Sequence, residues 1–199
     1  MPNNDHLNDN NGNGGLNGRF AGGTNKPGGR HVEEDGSEGP DHLKGTNEAD
    51  TMDGLAGDDV IVGRGGDDML TGGDGNDTFS HSGVGAGTDE DPGDGFDTVI
   101  DFELSTETEG VWEIADRVEF DSENFDFSAV DGDGVVSGAE LLAYIQVVDG
   151  VIQVDLDGAG GVSAFEDVVD TSAGATDDGV AVEVDGNTYV WSADAWVEA

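Results

Sequence analysis

Large apolar residues return at a period of nine in the middle of the chain, as Met52, Ile61, Leu70 and Phe79. Each follows an aspartate by two positions, Asp50, Asp59, Asp68 and Asp77. Each also follows a glycine by seven, Gly45, Gly54, Gly63 and Gly72. This spacing is too long for one helical turn and too punctuated for one long strand, so it predicts short out-in-out strands separated by tight turns. Residues 45–80 divide without insertion into GTNEADTMD, GLAGDDVIV, GRGGDDMLT and GGDGNDTFS. The fourth position holds Gly57, Gly66 and Gly75 in the last three copies but Glu48 in the first, which reads as a degenerate capping copy.

The pattern changes on both sides of this block. Residues 1–44 are rich in Asn and Gly with almost no apolar periodicity, which predicts a disordered tail. Residues 81–199 alternate apolar and polar positions in short runs. The segments 144–148 and 151–155 flank Asp149-Gly150, and 179–184 and 188–191 flank a turn at Asp185-Gly186, so both predict β-hairpins. Trp112, Trp191, Trp196, Phe120, Phe125 and Phe127 supply a modest core or a capping face. The expected organisation is therefore a tail, a repeat unit over 45–80 and a β-rich capping region over 81–199.

Charge narrows the function. Forty-six acidic residues against six basic ones give a formal charge of -40, with 35 glycines and a hydrophobic fraction of 34%. Such a chain resists compaction until cations neutralise it. It would be repelled by nucleic-acid phosphates and anionic membrane surfaces, which leaves cations or cationic surfaces as partners. There is no cysteine, hence no disulfide or thiolate metal site, and no stretch approaches the length of a membrane span. The first thirty residues lack the apolar core of a cleaved signal peptide. His6, His31, His42 and His81 show no metal-ligand spacing and read as solvated.

The copies at 45–80 resemble the repeats-in-toxin family, the hemolysin-type calcium-binding nonapeptide GGxGxDxUx, with residues 72–80 matching throughout. The resemblance implies an all-β fold, a short parallel β-roll closed by calcium ions and followed by a β-rich C-terminal region. Two nonapeptides make one coil, so Asp50 is expected beside Asp68 and Asp59 beside Asp77, with about two internal ions. Glycines at the first position (Gly54, Gly63, Gly72) and at the fourth (Gly57, Gly66, Gly75) are expected to take positive φ and turn carbonyl oxygens inward. Calcium suits carboxylates mixed with carbonyls, whereas zinc would seek His or Cys, absent from the repeats. Binding and folding are expected to be one event.

Two further acidic patterns stand downstream. GFDTVIDF (95–102) and ADRVEFDS (115–122) resemble the segment that follows such repeats in proteins exported by type I secretion systems, which implies an uncleaved export region and the type I apparatus as a partner. Residues 129–140 resemble an EF-hand loop through Asp131, Asp133 and Glu140 at its third, fifth and twelfth positions, although the first ligand position is Ala129. The motifs HExxH, GxSxG and GxxxxGK[ST] are absent. The expected function is a secreted, non-enzymatic bacterial calcium-binding protein with a structural, matrix or adhesive role. The alternative is the accessory module of a secreted protease or polysaccharide-modifying enzyme, with an extracellular polysaccharide or cell-surface matrix as partner. An intracellular calcium sensor is the third class.

Overall fold

Each aspartate-x-apolar triplet becomes a short strand, and successive strands alternate between two sheets. The protein is represented by a computed structural model that describes residues 33–81, 95–120, 138–142, 144–155, 165–171, 177–184 and 186–199. The repeat region forms β1 (Glu33–Ser37), β2 (His42–Lys44), β3 (Thr51–Leu55), β4 (Val60–Val62), β5 (Met69–Thr71) and β6 (Thr78–His81). It is followed by β7 (Asp97–Val99), β8 (Thr106–Thr108), β9 (Val111–Glu113) and β10 (Arg117–Phe120). Among the described residues a single short helix, α1 (Gly138–Leu141), precedes β11 (Ile145–Val148), β12 (Val151–Asp155), β13 (Phe165–Asp170), β14 (Ala181–Val184), β15 (Asn187–Ser192) and β16 (Ala195–Glu198).

Two seven-stranded sheets result, in the orders β1-β3-β5-β7-β13-β12-β11 and β16-β15-β14-β10-β6-β4-β2. The roll strands pair in parallel and in register. Met52 lies beside Leu70 and Leu70 beside Val99 in the first sheet. In the second, Leu43, Ile61, Phe79, Val118 and Val182 form one inward row. Both rows enter one hydrophobic core together with Phe102, Tyr189, Trp191 and Trp196. Side chains facing each other across the two sheets remove apolar surface that no single repeat could bury, so the stack and not the repeat is the stable unit.

The roll is longer than the repeat pattern from Gly45 suggested. Residues 36–44, GSEGPDHLK, form a further nonapeptide, and β1 and β2 are rungs of the roll, so residues 33–44 are not tail as expected; the rest of the expected tail, residues 1–32, lies outside the described residues. The other boundary also dissolves, because β7 and β10 continue the parallel sheets. Beyond them the sandwich becomes antiparallel. The hairpins β11–β12 and β14–β15 form where expected, with Asp149 and Gly150 both at positive φ and Gly186 at positive φ. A third hairpin, β15–β16, turns through Ala193 and Asp194, again at positive φ. Trp196 Nε1 donates to the Ile145 carbonyl at 2.7 Å, tying the last strands of the two sheets together. Trp112 is half-buried on the separate β8–β9 hairpin instead of lying in the core, while Phe125 and Phe127 lie outside the described residues.

Candidate metal centre

Alternation of strands between sheets sends the connecting turns to two edges. One edge carries the turns 36–41, 54–59 and 72–77 and the longer connection 101–116; the other carries 45–50 and 63–68, with His81 and residues 95–97 beside them. The structure brings Asp50 against Asp68 and Asp59 against Asp77, each pair joined by a backbone N–H of the first donating to Oδ1 of the second, at 2.7 and 2.8 Å. The same bond recurs from Asp41 N to Asp59 Oδ1, from Asp68 N to Asp97 Oδ1 and from Asp77 N to Asp116 Oδ1. Two ladders result, Asp41-Asp59-Asp77-Asp116 and Asp50-Asp68-Asp97. All members but Asp41 are buried.

These buried carboxylates are electrostatically costly. At a strand spacing of ~4.8 Å and an effective dielectric of ~20, neighbouring charges repel by about 3 kcal/mol. Burial lifts Asp59 from 3.8 to about 6, opposed by the amide of Asp41 and reinforced by Asp77, Asp41 and Asp58. Asp116 is pushed up to about 7 by burial, against the amides of Asp77 and Glu103. Asp77 is raised as well, by burial first and then by Asp101, Asp58 and Glu103, with the Asp59 amide opposing. Glu34, on the inward row at the start of the roll, is raised by burial and by Asp50.

The second carboxylate oxygen shows where a cation fits. Oδ2 of Asp59 and of Asp77 is buried without a hydrogen-bond partner. A Cβ at Gly54 would fall within 3.0 Å of both Asp59 Oδ2 and the Gly72 carbonyl, and a Cβ at Gly45 within 3.0 Å of both Asp50 Oδ2 and the Gly63 carbonyl. Gly36 faces Asp41 Oδ2 and the Gly54 carbonyl in the same way. Carboxylate and carbonyl oxygens from successive turns thus crowd together beside the first-position glycines, a donor set that suits calcium. Among the described residues no three acidic or histidine side chains gather closely enough to hold an ion unaided, so carbonyls must complete the coordination.

This geometry divides the glycines into two kinds. Gly57, Gly66 and Gly75 take positive φ as expected. Gly54, Gly63 and Gly72 do not; they are glycine because Oδ2 of Asp59, Asp68 and Asp77 presses on the space a Cβ would fill. The left-handed turn residue is instead the second position, with φ of 73° at Leu55, 79° at Arg64 and 99° at Gly73. Only glycine adopts that conformation without cost, so Leu55 and Arg64 are strained.

Some members of the ladders were hidden by irregular spacing. Asp97 and Asp116 repeat the aspartate-x-apolar triplet with Val99 and Val118, but 29 and 39 residues after their ladder neighbours. Asp41 was legible in GSEGPDHLK at the regular interval. His81 is not solvated: it is buried, with Nδ1 at 3.3 Å from Asp97 Oδ2 and its ring edge-on to Phe120. Of the EF-hand-like residues, Asp131 and Asp133 lie outside the described residues; Glu140 stands on α1, and its side chain is likewise outside them.

The family model described as RTX calcium-binding nonapeptide repeat, four copies long, matches residues 35–70 and again 44–79. The matched stretch begins in β1, two residues from the first described position, and ends in β6. The repeat family binds Ca2+, and residues 35–79 of this chain match its repeats. No curated protein matches the chain closely enough to count as a relative.

Proposed function

We propose that this calcium-binding β-roll protein acts outside the bacterial cell as a non-enzymatic structural or adhesive component whose folding is switched on by ambient calcium. The observation that carries the reading is the pair of buried aspartate ladders, with Asp59 Oδ2 and Asp77 Oδ2 left without partners. A fold that encloses such charges is complete only when a cation joins it, so metal affinity is folding free energy. The formal charge of -40 favours an expanded chain at low calcium and a soluble one afterwards. No helix among the described residues is long and apolar enough to cross a membrane.

Export by a type I apparatus fits the same scheme, since an unfolded chain passes a narrow channel and a calcium-rich exterior then folds it. The segments 95–102 and 115–122 would then act twice, in export and as the rungs β7 and β10. Metal-free protein titrated with calcium and followed by far-ultraviolet circular dichroism tests the folding claim; identical β content in chelator and in millimolar calcium refutes it. Co-expression with a type I apparatus tests export, which requires full-length chain in the medium and none without the apparatus.

A further inference from the structure

The two edges of the roll end in different chemistry. On each edge the first-position glycines stack along the roll, and on each edge the stack ends in another residue. After Gly36, Gly54 and Gly72 the next position is Asp101; after Gly45 and Gly63 it is His81. His81 turns its imidazole to Asp97, the last carboxylate of its ladder, at 3.3 Å, with both side chains buried. That edge is closed by the protein's own hydrogen-bonding base.

The other edge accumulates carboxylates. Asp101 accepts from Gly72 N at 3.0 Å and Gly73 N at 2.9 Å, which fixes its carboxylate on the last repeat turn. Asp116 accepts from Asp77 N and Glu103 N, at 2.9 and 2.8 Å. Between them Asp77 is 0% exposed, and its Oδ2 is buried without a partner against the Cα of Gly72. At Gly54 the equivalent oxygen of Asp59 lies beside the carbonyl of the next glycine, Gly72. At Gly72 no glycine follows, and the side chain of Asp101 stands in that row instead.

We propose that a calcium ion binds at the junction of the last repeat with the C-terminal region, held by Asp77 Oδ2 and the Asp101 carboxylate, and that the His81–Asp97 edge holds none at the corresponding place. The site lies partly outside the matched repeats, since Asp101 follows their last residue, 79. It makes the first non-repeat connection a ligand, so that calcium clamps the roll to the sandwich behind it. The inference rests on the reading of the roll as a calcium-binding fold.

Native mass spectrometry of the full chain in millimolar calcium, with isothermal titration, counts the ions. Asp101→Asn removes the charge and keeps an acceptor for only one of the two amides, Gly72 or Gly73; it is expected to bind one ion fewer than wild type. His81→Gln is expected to bind the full number. An unchanged count in Asp101→Asn, or one ion lost in His81→Gln, overturns the proposal. Should either variant fail to fold, the wild-type crystal in calcium decides, through an anomalous difference peak between Asp77 and Asp101 and none beside His81 and Asp97; the opposite pattern overturns it. Absence of any bound calcium in wild type would instead overturn the calcium-binding reading.

Discussion

Acid should partly replace calcium. Asp59 and Asp116 have folded-state values of about 6 and about 7 against 3.8 for the free side chain. Between those limits the metal-free folded state binds more protons than the unfolded chain, so its stability falls as pH rises. The contribution is complete below about pH 4 and lost by about pH 7. Shifts of roughly two and three units correspond to about 7 kcal/mol at 1.4 kcal/mol per unit over the whole window, of which about 4 kcal/mol falls between pH 5 and pH 7.5; screening at the sheet edges reduces this to about 2 kcal/mol. For a chain of this size that is a difference of about 5 °C in melting temperature. The measurement is a thermal melt of protein stripped of metal by gel filtration, at pH 5 and pH 7.5, followed by circular dichroism. The metal-free chain should show a folded baseline and a melting transition at pH 5, and at pH 7.5 a lower one or only the unfolded spectrum. In saturating calcium the order should reverse, because protons then compete with the ion for the same carboxylates. A metal-free melting temperature that is equal at the two pH values, or higher at 7.5, would refute the assignment of the ladders as buried, uncompensated charge.

Three substitutions probe the same geometry. Gly54→Ala places a methyl group against Asp59 Oδ2 and the Gly72 carbonyl and should cost about 1 to 3 kcal/mol, whereas Gly39→Ala, with no atom within 4 Å of its Cβ, should be near neutral; urea denaturation in calcium distinguishes them. Arg64→Gly relieves a φ of 79° and should stabilise the calcium-bound protein by about 1 kcal/mol, seen as a higher melting temperature. Asp59→Ala and Asp77→Ala, on one ladder, should be strongly non-additive in a double-mutant cycle, while Asp59→Ala and Asp68→Ala, on opposite edges, should add; equal coupling in both cycles contradicts the two-edged roll.

The sequence by itself determined the roll's unit. Its period places Met52, Ile61, Leu70 and Phe79 inside and Asp50, Asp59, Asp68 and Asp77 in the turns, because a strand alternates its faces and a nine-residue step returns each residue type to the same place. It also fixed the Asp149-Gly150 hairpin, whose two positive φ angles suit those residues. Tertiary structure decided where the roll ends. Asp97 and Asp116 join the ladders across connections of unequal length, and strand pairing is indifferent to connection length as long as the rungs meet in register, so no period announces them. The same holds for His81, whose burial depends on Phe120 and Asp97 arriving from two later strands. Position one of the repeat is glycine for a reason that is invisible along the chain: a carboxylate oxygen five residues on occupies the space of its Cβ, a contact that exists only once the turn has closed.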